Sequence, residues 1–160
     1  MMTSSLRRGT LSSVKRSSPT PPDTRRSTLA NVRVLVVDDH EDARDLVATV
    51  LERAGAKVTQ ADSVSTAMLA IANDAFSVLV SDIGMPGEDG YGLIRRLRSG
   101  EGPPTSRELP AVAITAFAAP EDRSKALQAG FQEHMAKPFS APVLLEVVAR
   151  LAGPSTDIHS

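Results

Sequence analysis

From residue 32 onward, short apolar bursts alternate with longer stretches that carry a helical repeat. Val32–Val37, Ser77–Ser81 and Ala111–Thr115 are near-continuous apolar runs. Such runs predict parallel strands covered on both faces, because neither face needs a polar set. Lys57–Gln60 and Glu133–Ala136 carry a weaker form of the same signal. Between them, Ala43, Leu46, Val47, Val50, Leu51 and Ala54 recur at the three-and-four spacing of one helix face, and Gly55 follows where a left-handed cap is wanted. Asp62 or Ser63 can cap a second helix bearing Ala67, Ala70 and Ile71. A third carries Leu93, Ile94 and Leu97. A fourth runs from about Pro120 to Ala129, with proline early and Gly130 after its end. The last starts near Ser140, has Pro142 in its first turn, and carries Val143, Leu144, Val147, Val148 and Leu151.

The order is strand then helix, five times over. That alternation predicts an α/β domain with a parallel sheet, right-handed crossovers and helices on both faces. The longest loop inside it, Ser99–Leu109, holds Gly100, Gly102, Pro103 and Pro104. The expected organisation is a basic N-terminal segment over 1–31, a folded domain over 32–152 and a short flexible tail over 153–160. No output module is expected after the last helix.

Charge sharpens that division. The net charge of −1 over 160 residues conceals a formal +5 in residues 1–31, where six Lys/Arg face only Asp23, and a formal −6 in the rest. The basic segment is rich in Ser, Thr, Arg and Pro and has few large apolar groups, so it is expected to be disordered. It reads most simply as a solvated leader or linker. A transit peptide or a tether to nucleic acid or an anionic membrane shares that composition. No apolar stretch follows its arginines as a secretory signal requires. No run approaches the roughly 18–20 apolar residues of a membrane span. Cysteine is absent, which removes disulfides, thiolate metal sites and cysteine nucleophiles. Aromatic residues are only 3%, too few for base-stacking recognition of nucleic acid by the folded domain.

Ligands of open parallel sheets bind beyond the carboxyl ends of the strands. The first strand ends at Asp38 and Asp39, the third at Asp82 and the fourth at Thr115, and Lys137-Pro138 follows the fifth. Three carboxylates on one rim repel one another unless a cation neutralises them. Mg²⁺ suits such a site, being held by one or two carboxylates and phosphate oxygens. Lys137 supplies a positive charge and Thr115 a hydroxyl donor, and a carboxylate can act as nucleophile. Each residue alone also has a structural reading. Asp38 or Asp39 can cap a helix, Asp82 can belong to a turn with Gly84, Pro86, Gly87 and Gly90, Thr115 suits a strand, and Lys137 suits a solvated surface. Their joint occurrence at four strand ends favours a metal-assisted phosphoryl acceptor.

The motifs Val-Leu-Val-Val-Asp-Asp at 34–39, Ser-Asp-Ile-Gly-Met-Pro-Gly-Glu-Asp-Gly-Tyr at 81–91, Ala-Ile-Thr-Ala at 113–116 and Lys-Pro-Phe at 137–139 resemble the receiver domain of two-component response regulators. The resemblance covers about residues 32–152. Ser81–Tyr91 and Gly130–Phe139 look most like receivers attached to hybrid histidine kinases. The resemblance implies a flavodoxin-like, CheY-like (βα)5 three-layer sandwich whose five-stranded parallel sheet has the order 2-1-3-4-5. It implies that Asp82 is the phosphoacceptor, that Asp39, Asp82 and the backbone carbonyl of Gly84 bind Mg²⁺, and that Asp38 acts largely through a metal-bound water. Mn²⁺ is the expected substitute ion. Lys137 then contacts the phosphoryl group, Thr115 is the switch hydroxyl, and His134, three residues before the lysine, takes the place of the switch aromatic. His134 also reads as an ordinary histidine at the rim. Gly84 and Phe117 stand at the two positions expected to influence dephosphorylation. A cis bond is expected at Lys137–Pro138.

The implied partners are a histidine kinase or histidine phosphotransfer protein, and a downstream protein on the face of the fourth helix, fifth strand and fifth helix. The implied location is cytoplasmic, and the implied state a monomer or a phosphorylation-dependent dimer. Such a protein is a switch rather than an enzyme, catalysing only its own phosphotransfer and autodephosphorylation. A constitutive interaction module with the same fold is the alternative, although an idle site has no reason to keep so much unfavourable charge. A dehalogenase-type phosphatase fits poorly. It wants Asp-x-Asp on the first strand, where this chain has Asp38-Asp39-His40.

Overall fold

A computed structural model describes residues 28–116 and 119–153. The basic segment before Thr28, Phe117 and residues 154–160 lie outside the described residues. Five strands and five helices alternate: β1 (Arg33–Val37), α1 (Glu41–Arg53), β2 (Lys57–Ala61), α2 (Val64–Asn73), β3 (Val78–Asp82), α3 (Gly90–Arg98), β4 (Ala111–Thr115), α4 (Pro120–Ala129), β5 (Glu133–Ala136) and α5 (Ala141–Ala152). A short 3-10 turn, Pro104–Ser106, lies between α3 and β4. All strand pairs are parallel, and the sheet order is β2-β1-β3-β4-β5. This is the order 2-1-3-4-5 that the family resemblance implied.

The sheet separates two apolar cores. Leu35, Leu79, Ala111 and Ala113 face one side and pack under Ala67 and Ile71 of α2, Leu93, Ile94 and Leu97 of α3, and Ala126 of α4. Val34, Val36, Val80, Val112 and Ile114 face the other, under Val47 and Leu51 of α1 and Leu144, Val147 and Val148 of α5. β1, β3 and β4 therefore alternate between two buried faces, which explains their continuous apolar reading. Each fully buried Val or Leu contributes roughly 1.5–3 kcal/mol against exposure. The helix faces match the predicted spacing, but Leu46 and Val143 lie at the edges of their stripes, 55% and 45% exposed.

Local signals end the helices as expected. Ser63 caps α2 reciprocally: its Oγ accepts the Thr66 N–H, and Thr66 Oγ1 accepts the Ser63 N–H. Gly55 and Gly130 follow α1 and α4 with φ of 104° and 128°, a region that disfavours side chains. The packed region begins before Val32. Residues 28–31 form a turn in which Leu29 is fully buried and its N–H donates to the Ala54 carbonyl, 2.9 Å away. Composition had placed Leu29 in the leader. One leucine among polar residues gives no periodic signal, and its burial depends on the distant end of α1.

Candidate functional site

Parallel pairing brings the carboxyl ends of β1, β3, β4 and β5 to one rim. β1 ends beside β3 with Val37 opposite Ser81, so Asp38 and Asp82 follow on adjacent strand ends. β3 meets β4 with Asp82 opposite Ile114, which places Thr115 next along the rim. β5 pairs Ala136 with Thr115, and the Lys137 N–H donates to the Thr115 carbonyl at 2.8 Å. The Lys137–Pro138 bond is cis, as expected.

Asp38 and Asp82 are almost fully buried, and Thr115 is 1% exposed. Donor atoms of Asp38, Asp39, His40 and Asp82 all lie within 4.8 Å of one another. Lys137 Nζ reaches Asp38 Oδ2 at 3.2 Å and Asp82 Oδ1 at 3.7 Å. One ammonium thus serves two carboxylates, while Asp39 Oδ1 is buried with no hydrogen-bond partner among the described residues. A deprotonated oxygen in that position is costly unless something positive meets it. Burial raises the Asp82 carboxyl above its ordinary range. Lys137 pulls it back, the Asp38 charge raises it further, and the N–H groups of Gly84 and Ile83 lower it. Three carboxylates against one lysine, with an orphaned oxygen among them, fit a hard divalent cation held by oxygen.

The backbone that delivers these groups is constrained. A Cβ on Gly90 would fall 2.5 Å from the Asp82 carbonyl oxygen and 2.9 Å from the Ile83 Cα, so only glycine fits where α3 begins beneath β3. Asp89 caps α3, accepting the Gly92 N–H at 3.0 Å. The loop between Asp82 and Asp89 has Gly84 exposed, Met85 buried and Gly87 at φ 73°. Neither Asp38 nor Asp39 is the helix cap of α1. His40 occupies that position without a side-chain cap, and Asp38 Oδ1 accepts the His40 N–H at 2.9 Å.

His134 lies apart from this cluster. It pairs with Ala113 in register, so its side chain belongs to the sheet face that α4 covers. Its Nε2 is buried without a hydrogen-bond partner among the described residues. Two residues at the pocket went unnoticed in the sequence. Arg44 of α1 donates from Nη1 to the Asp38 carbonyl at 2.9 Å and from Nε to Gln60 Oε1 at 2.9 Å, tying α1 and β2 to the end of β1. The ring of His40 approaches Asp38 and Asp39. Only its adjacency to two aspartates could have suggested this.

A doubly wound parallel sheet in this order, with an acid pocket at its carboxyl rim, defines the CheY-like class. Comparisons with known proteins agree. The family described as response regulator receiver domain matches residues 34–149. A 14.6 kDa protein of Leptolyngbya boryana is 42% identical over 76% of this chain and 90% of its own length. The sensor protein GacS of Pseudomonas syringae pv. syringae is 36% identical over 76% of this chain but only 13% of that protein. Among solved structures, the receiver domain of a Francisella response regulator has a TM-score of 0.71 at 28% identity, covering 78% of this chain and 99% of that one. The receiver domain of a sensor histidine kinase from Pseudomonas aeruginosa PAO1, with a magnesium ion coordinated in its active-site cleft, has a TM-score of 0.69 at 29% identity, covering 78% and 99%. The chain belongs to the response regulator receiver domain family of two-component signalling. Among the described residues, no helix is long and apolar enough to cross a membrane.

Proposed function

We propose that this receiver takes a phosphoryl group on Asp82 from a phosphohistidine and changes its affinity for a partner as a result. The observation that carries the reading is the trio of buried Asp38 and Asp82 and half-buried Asp39, countered by Lys137 alone among described lysines and arginines within ion-pair reach. In the transfer, an Asp82 carboxylate oxygen forms a new O–P bond as the P–N bond of the phosphohistidine breaks, and the imidazole leaves. Lys137, whose Nζ lies near Asp38 and Asp82, would balance charge on the phosphoryl oxygens. Thr115, on the neighbouring strand end, is proposed as the hydroxyl that meets the phosphoryl group. Asp39, Asp82 and the Gly84 carbonyl would hold Mg²⁺, with Mn²⁺ as a substitute and Asp38 acting through a bound water. The ion supplies charge neutralisation for the carboxylates and the incoming phosphoryl oxygens.

The switch works by population shift, so the phosphoryl group must favour one arrangement of the rim over another. We assign His134 to that change because it lies on the α4 side and its buried Nε2 has no hydrogen-bond partner among the described residues. The donor class is a histidine kinase or a histidine phosphotransfer protein in the cytoplasm, and the output surface is α4, β5 and α5. Beyond its own phosphotransfer and dephosphorylation, the domain is proposed to turn over no substrate.

Intact-mass spectrometry after incubation with a small phosphodonor tests the reading, with and without Mg²⁺, on wild type and Asp82→Asn. A Mg²⁺-dependent gain of one phosphoryl group, absent in the variant, is expected. A folded, Mg²⁺-binding chain that gains no phosphoryl group from a phosphodonor or a phosphohistidine protein would instead be a constitutive interaction module.

A further inference from the structure

The phosphoacceptor reading gives His40 no role, yet its ring stands at the edge of the acid pocket. Its Nδ1 lies 3.3 Å from Asp38 Oδ1 and 3.3 Å from Asp39 Oδ1. The contact with Asp38 is aligned as a hydrogen bond. The contact with Asp39 is not, for Asp39 Oδ1 has no hydrogen-bond partner among the described residues despite its burial. Nitrogen and two carboxylate oxygens therefore crowd together, and the misaligned pair is not explained by a shared proton. Asp38 can join this group without leaving Lys137, since its Oδ1 faces His40 and its Oδ2 faces the ammonium.

Donor spacing and donor type both discriminate between ions. Two ligands of a tetrahedral ion with bonds of about 2.0–2.1 Å are about 3.3–3.4 Å apart. Adjacent ligands of octahedral Mg²⁺, with bonds of similar length, are about 2.9 Å apart. Both nitrogen-to-oxygen separations at His40 match the wider edge. Mg²⁺ wants oxygen ligands, whereas imidazole nitrogen suits Zn²⁺, Cu²⁺ and Ni²⁺.

We propose that His40 is a metal ligand, and that His40 Nδ1 with Asp38 and Asp39 gives the acid pocket a preference for a nitrogen-seeking dication of the Zn²⁺ class over Mg²⁺. The inference rests on the reading of this pocket as a divalent-cation site. The two ions share Asp39, so they exclude each other. His40 then decides which ion the pocket holds. Its side chain is 68% exposed, so replacing it leaves both cores untouched.

The test uses the full chain, stripped of metal, at one fixed pH. Zn²⁺ and Mg²⁺ affinities are measured by competition for wild type, His40→Ala and Asp39→Asn, and Cu²⁺ is used as a spin-resonance probe of nitrogen ligation. His40→Ala is expected to weaken Zn²⁺ at least about tenfold, to leave Mg²⁺ within about twofold, and to lose the nitrogen splitting of the copper signal. Asp39→Asn is expected to weaken both ions. Unchanged Zn²⁺ affinity in His40→Ala, or nitrogen splitting that survives it, overturns the role of His40 while leaving the Mg²⁺ site in place. A wild-type chain that binds neither ion overturns both readings.

Discussion

Lys137 holds the metal-free pocket together, and its removal has a calculable consequence. Its Nζ lies 3.2 Å from Asp38 and 3.7 Å from Asp82. At an effective dielectric of about 20, unit charges at those separations attract by about 5 and about 4.5 kcal/mol before desolvation is counted. The carboxylates of Asp38 and Asp82 have oxygens within 4.8 Å of each other, and there they repel by about 3.5 kcal/mol or more. Desolvation and side-chain ordering cancel most of the attraction. Lys137 is 27% exposed, between the buried pairs that cost several kcal/mol to break and the surface pairs that cost almost nothing. Lys137→Met, which keeps most of the apolar stem, is therefore expected to lose about 2 kcal/mol in chelator-treated protein at neutral pH.

Urea unfolding followed by circular dichroism reads this as a midpoint lowered by about 1 M, for a slope of about 2 kcal/mol per molar. The deficit should depend on pH with a definite sign. Asp82 titrates above its ordinary value of 3.8 in the folded state, so the folded chain takes up a proton before the unfolded one as pH falls. Protonation relieves the repulsion, and folded stability from this group rises as pH falls through the folded value towards 3.8. Without Lys137 the relief comes at higher pH, so the variant's deficit shrinks on acidification. Mg²⁺ should also shrink it, as should Asp82→Asn in the same chain. A variant as stable as wild type at neutral pH without metal would refute the electrostatic account. So would a deficit of equal size in the Asp82→Asn background.

Two further outcomes follow from the geometry. The Arg98 guanidinium donates to the Gly130 carbonyl from Nε at 3.0 Å and Nη2 at 2.7 Å, to the Arg107 carbonyl at 3.0 Å and to Gln132 Oε1 at 3.2 Å. Arg98→Ala should cost about 2–3 kcal/mol in urea unfolding, with Arg98→Lys recovering less than half, and a loss below about 0.5 kcal/mol would mean that water replaces these bonds. Gly90→Ala should lose about 1–3 kcal/mol of stability and weaken Mg²⁺ binding, since the new Cβ collides with the backbone of Asp82 and Ile83. A Mg²⁺ titration indistinguishable from wild type would show that β3 and the metal site tolerate the shift.

Much of the architecture was legible because the two cores write themselves into the strands. β1, β3 and β4 sit inside the sheet and are apolar on both faces. The two runs with weaker signals, Lys57–Gln60 and Glu133–Ala136, prove to be the edge strands β2 and β5. Each edge strand has partly exposed positions, and there the apolar pattern thins. Asp38, Asp39, Asp82, Thr115 and Lys137 were recognisable because strand ends in a parallel sheet converge. The pairing of Lys137 with Asp38 spans 99 positions and needed the fold to appear. Arg44 and Leu29 were invisible for the same reason, whereas His40 was signalled only by its adjacency to two aspartates. The partners of Arg44 and Leu29 belong to other elements, and no periodicity announces them.

The turn that anchors Leu29 also fixes where the chain arrives. It feeds β1 at the amino edge of the sheet, and α5, running back from the opposite rim, brings Ala152 to that same edge. Gly153 therefore follows α5 at the pole opposite Asp82, about the 16 Å length of a strand away, whereas Thr28 lies beside Ala141, Pro142 and Leu145 in the first half of α5.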